Sequence, residues 1–133
     1  MKKLDKESVI GISALLVHAA NIDEIYSDHE KNLIKSFINS YLKNEDANTI
    51  LKKAEEIENN SNQLLNYTNI IKENPFDIKK DIIEHLWKVI ISDKTIDQYE
   101  SNLMRRICGL IYFSDKECAE IKLKLINNKW RIL

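Results

Sequence analysis

Glycine and proline are nearly absent, two and one in 133 residues. So few turn-formers argue against a sandwich or barrel of many short strands, which needs Gly and Pro at its frequent turns. The two cysteines, Cys108 and Cys118, lack CxxC spacing, which removes the disulfide-scaffold and zinc-ribbon classes. Both fall at apolar positions of predicted helices, so buried reduced thiols are expected in preference to a disulfide or ligand role. No uninterrupted apolar run approaches the length of a membrane span. Nor does either sign of charge dominate: 20 Lys and Arg stand against 21 Asp and Glu, a balance that calls for neither nucleic acid nor an anionic lipid surface. Met1, Lys2 and Lys3 lead into Leu4, Asp5, Lys6 and Glu7 instead of an apolar core, so a cytoplasmic location is expected.

What the chain has in abundance is Ile, Leu, Lys, Glu and Asn at helical spacing. It also repeats itself. Displacing the numbering from Leu16 to Leu86 sets Asp23 on Asp93, Glu30 on Glu100, Asn32 on Asn102 and Leu33 on Leu103. Ala19 falls on Val89, Ala20 on Ile90, Ile34 on Met104, Lys35 on Arg105 and Phe37 on Ile107. An apolar run, an acidic turn and a second apolar run, present twice, predict duplicated helical hairpins. The expected architecture is all-α, about seven helices in one domain over 1–133, with repeat halves at about 6–42 and 77–112.

The first helix is predicted from Lys6 to Asn21, apolar nearly all round and therefore central. A second follows from Ser27, whose hydroxyl with Glu30 three residues on forms a capping-box pattern. Asp46 to Asn59 reads as a surface helix with one apolar stripe, and Gln63 to Glu73 as a fourth that Pro75 terminates. Asp77 is expected to cap a fifth helix reaching Ser92. Asp97 with Glu100 caps the sixth, and Ser114 with Glu117 the seventh, after which Trp130 is expected to fold back onto the body.

The acidic turns carry the sharpest chemistry. Asp23, Glu24, Asp28 and Glu30 lie within eight residues with no Lys or Arg among them, and Asp93, Asp97 and Glu100 repeat part of the set. Oxygen-rich clusters of this kind suit Ca²⁺ or Mg²⁺. From spacing alone the same residues read in preference as helix caps and turn formers, which need these side chains at this spacing without any metal. The EF-hand order of residues is missing. Lys94 puts a positive charge in the second turn, which makes the first the better metal candidate.

No catalytic constellation is visible, and a non-enzymatic role is expected. His18, His29 and His85 form no HxxxH pair, and there is no glycine-rich phosphate loop. His18 and His85 are expected at the edges of core helices and His29 in solvent. Lys88, Arg105 and Arg106 read as a solvated face, with a small anion-facing patch as the alternative. Trp87, Tyr99 and Tyr112 are expected in the core, and an exposed Trp87 would mark a partner surface.

At its acidic turns the chain resembles the TerB family, small helical proteins associated with tellurite resistance and related stress responses. The second copy carries the likeness through Leu86, Trp87, Val89, Asp93, Ile96, Asp97, Tyr99, Glu100, Leu103, Arg105 and Arg106, and the likeness spans Ala14 to Lys124. Where the family has Asp-Gly in each turn, this chain has Asp23–Glu24 and Asp93–Lys94. The resemblance implies an all-helical fold, acidic residues that hold a metal, and a non-enzymatic role in a stress-linked, often membrane-associated protein assembly. The expected partner is another protein, and a homodimer stays open as an alternative; the competing reading is a structural adaptor whose acids only cap helices.

Overall fold

Helix α1 (Lys6–Ala20) is apolar on almost every side because it is surrounded on almost every side. In the computed structural model, which describes residues 4–21, 26–60, 64–91 and 98–131 apart from the side chains of 64, 65, 98–101 and 128–131, it packs against α2 (Asp28–Tyr41), α3 (Ala47–Asn60), α4 (Leu64–Lys72) and α5 (Phe76–Ile91). Residues Val9 to Val17, with Ala19 and Ala20, are all buried. Among the described residues there are seven α-helices and no strand, completed by α6 (Gln98–Leu110) and α7 (Asp115–Arg131).

The sequence repeat reappears in the packing. Helix α3 lies on both α1 and α2, while α7 lies on both α5 and α6. Helix α1 packs directly on α5, and α4 touches both α1 and α6, linking the two halves. Helix α3 therefore belongs to the first half, and α4 bridges the two. Gly11 faces α4 closely enough that an added Cβ would run into Ile70 Cδ1. One core joins Leu15, Leu16, Ile34, Phe37, Ile38, Ile82, Ile83 and Leu86, all fully buried. Each such side chain contributes about 1.5–3 kcal/mol of transfer free energy.

Helix ends follow local hydrogen bonding. Asp5 Oδ1 accepts from the Ser8 backbone N–H at 2.7 Å, and Asp46 Oδ1 from that of Asn48 at 3.2 Å. At the end of α4, Asn74 Nδ2 donates to the Ile70 carbonyl at 2.8 Å, just before Pro75. Helix α5 corrects the expected cap: it starts at Phe76, and the Pro75 carbonyl accepts from Ile78 and Lys79 at 3.2 and 3.1 Å. Asp77 is thus inside the first turn, where its charge still suits the N-terminal end of the helix dipole. Helix α7 continues through Arg131, and the expected packing of Trp130 onto the body falls on a side chain outside the described residues.

Candidate functional site

The first acidic turn leads into α2, whose capping box is complete. Glu30 Oε1 accepts from the Ser27 backbone N–H at 2.8 Å and from Ser27 Oγ at 3.1 Å. Ser27 Oγ in turn accepts from the Glu30 N–H at 3.2 Å. Glu30 has no solvent exposure, so this carboxylate is folded back on its own helix end. Asp28, one position into the helix, is exposed, as is His29. Of the other expected ligands, Asp23, Glu24, Asp93 and Asp97 lie outside the described residues, as does the side chain of Glu100 in α6. Among the described residues no three His, Cys, Asp or Glu side chains come together as a metal group.

A feature the sequence did not disclose lies beside this turn. Val17, Asn21, Tyr26, Glu55, Glu56 and Glu58, with Lys31 and Lys52, line a pocket of about 430 Å³. Three carboxylates thus share the pocket with two ammonium groups. Glu58 is anchored, with Oε1 3.4 Å from His18 Nδ1 and Oε2 accepting from Asn21 Nδ2 at 3.3 Å. Burial first, then Glu55 beside it and the charges of Glu30 and Glu58, hold the Tyr26 phenol well above its usual range. Lys31 lies 4.9 Å from the Tyr26 ring centroid. The α3 glutamates sit on the polar face of a surface helix, and only the packing of α3 across the end of α1 brings them here.

His18 ties two helices, whereas His85 bonds within its own. His18 pairs with Glu58, and His85 Nδ1 lies 2.8 Å from the Asp81 carbonyl and 3.7 Å from Asp81 Oδ1. Arg105 and Arg106 are exposed, consistent with a solvated face.

The fold and the repeat now have a family attached. Residues 10–123, most of the chain, match the family described as Tellurite resistance protein TerB. The chain belongs to the TerB family. Nothing among the curated proteins and nothing among the solved structures matches it significantly.

The aromatic residues of this TerB domain divide. Trp87 is 3 % exposed and lies in the core as expected, so it marks no partner surface. Tyr112, expected in the core, is 74 % exposed, and Phe76 is 54 % exposed. Phe76 stacks on Phe113 with centroids 5.4 Å apart, and Lys72 lies 5.1 Å from the Tyr112 ring centroid. Tyr99 and the Trp130 side chain lie outside the described residues. No described helix is long and apolar enough to cross a membrane.

Proposed function

We propose that this TerB-family chain is a non-enzymatic interaction module that binds a divalent cation, Ca²⁺ or Mg²⁺, at the acidic corner between α3 and the connection from α1 to α2. The carrying observation is the pocket lined by Glu55, Glu56 and Glu58. Asp23 and Glu24 belong to the four residues joining Asn21 to Tyr26, and both of those line the same pocket. Carboxylates from two parts of the chain would supply the oxygen-rich set that a hard cation needs. Cation uptake would neutralise the corner and alter the surface presented to a protein partner in a cytoplasmic, stress-linked and membrane-associated assembly. Calorimetric titration with Ca²⁺ and with Mg²⁺ tests the reading. A saturable heat is expected in the wild type, weakened in both Asp23→Asn and Glu55→Gln; no saturable heat in the wild type overturns it.

A second reading rests on a different observation. The exposed rings of Phe76 and Tyr112 form an aromatic corner where α4 meets α5 and α6 meets α7. That favours a structural adaptor in which Ser27 and Glu30 only cap α2, and the partner docks on aromatic surface. Retention of an unchanged set of captured proteins by Phe76→Ala with Tyr112→Ser would sink this reading.

A further inference from the structure

Cys108 and Cys118 lie five residues to either side of Phe113, in the connection between α6 and α7. Helices α6 and α7 pack on each other and bring the two thiols close enough that each is the first influence on the other's protonation. The two are not equivalent. Cys108 has no solvent exposure, and the neighbouring Cys118 sulfur, reinforced by burial, holds its thiol protonated. Cys118, itself only 5 % exposed, lines a pocket of about 580 Å³ together with Trp87, Arg105, Asp115 and Lys122. Its Sγ accepts from Trp87 Nε1 at 3.3 Å, and the Lys122 ammonium lies 5.4 Å from the Trp87 ring centroid. Cys118 also opens the hydrogen-bond ladder of α7, its N–H donating to the Ser114 carbonyl at 3.0 Å, so it sits at the positive end of the helix dipole. The neighbouring Cys108 thiol first, then the hydrogen bond from Trp87 and the charge of Lys122, favour the Cys118 thiolate against burial and Asp115.

We propose that this pair is a peroxide-reactive dithiol, in which Cys118 attacks and Cys108 resolves. The Cys118 thiolate attacks one oxygen of the O–O bond, which breaks to give Cys118 sulfenic acid and hydroxide; the proton shed by the Cys118 thiol converts that hydroxide to water. Cys108 then attacks the Cys118 sulfur. An S–S bond forms, the S–O bond breaks, and the leaving hydroxyl takes the Cys108 proton as a second water. Two thiols have given two electrons to one peroxide. The disulfide ties α6 to α7 at the wall of the pocket.

The test uses the full reduced chain treated with hydrogen peroxide at neutral pH. The wild type is expected to lose both free thiols within one chain, with a mass decrease of two hydrogens. Cys108→Ser should lose its single thiol and stop at a sulfenic acid that dimedone traps. Cys118→Ser should lose its thiol about tenfold or more slowly. Lys122→Gln, a change outside the core, should slow the reaction while the far-ultraviolet circular dichroism is unchanged. Equal rates in the two serine variants, oxidation only after unfolding in urea, or disulfides only between chains would overturn the proposal.

Discussion

Tyr41 Oη donates to Asp81 Oδ2 at 2.6 Å, and this bond ties α2 to α5 across the centre of the pseudo-repeat. The ring of Phe37 lies 5.1 Å from those of both Tyr41 and His85, so the polar tie rests against an aromatic wall. Hydrogen bonds to charged acceptors are worth about 1.5–3 kcal/mol in favourable cases, less when partly solvated. Tyr41→Phe is expected to cost about 1–2 kcal/mol in urea denaturation. A loss no larger than that of an exposed control such as Lys43→Ala would contradict this role.

The same bond makes a pH prediction. Burial and the bond to Asp81 raise the Tyr41 phenol above its ordinary value of 10.0, and burial with Glu55 does the same for Tyr26. The unfolded chain ionises near the ordinary value while the folded chain holds its protons, so above it the unfolded state binds fewer protons. Stability is therefore fully present below about pH 10 and falls as pH rises past it. Denaturation midpoints should decline through that range in the wild type, and the double variant Tyr26→Phe, Tyr41→Phe should show a flatter decline.

Ser27→Ala should lower stability by about 1 kcal/mol through loss of the cap on α2. Repeating the thermal melt with Ca²⁺ separates the two roles of this corner. A cation bound by Asp23 and the α3 glutamates should still raise the melting temperature of Ser27→Ala, because the cap holds Glu30 and not the proposed ligands.

Tyr112 has a backbone φ of 59°, the left-handed region, and Phe113 N–H closes the end of α6 on the Cys108 carbonyl at 2.8 Å. That is the helix-ending position usually taken by glycine. Tyr112→Gly should gain about 0.5–1 kcal/mol by relieving the Cβ clash, less the contact with Lys72. Tyr112→Val should lose stability, since a β-branched residue fits this conformation worst. Chemical denaturation of the two variants decides it.

Phe37→Ala removes one of the largest fully buried side chains and should cost about 3–5 kcal/mol. Phe76→Ala, more than half exposed, should cost under about 1 kcal/mol. Comparing their denaturation midpoints separates core from docking surface: a large loss in Phe76→Ala would make that ring a structural element.

The helices were legible because hydrophobic period and caps are local properties. Ser27 with Glu30 announced the start of α2, and the apolar girth of α1 announced its central place. The Asp77 cap was misread because Pro75, whose carbonyl needs no side chain to start a helix, already served. The fate of aromatic rings was less legible. Trp87 and Tyr112 are both large and amphipathic, and composition alone does not tell a ring turned under Lys122 from one turned out under Lys72.

By itself the sequence determined an all-helical chain, its internal duplication, the order and approximate bounds of its helices, and the family to which it belongs. These depend on residue periodicity, capping chemistry and self-similarity, each readable within a window of the chain. The tertiary structure alone decided which polar faces meet. It turned Glu55, Glu56 and Glu58 of α3 toward the connection between α1 and α2, and it set the Cys108 thiol against Cys118 beside the Trp87 indole. Those contacts join residues on different helices, and helical period fixes which face a side chain occupies without fixing which helix lies across from it.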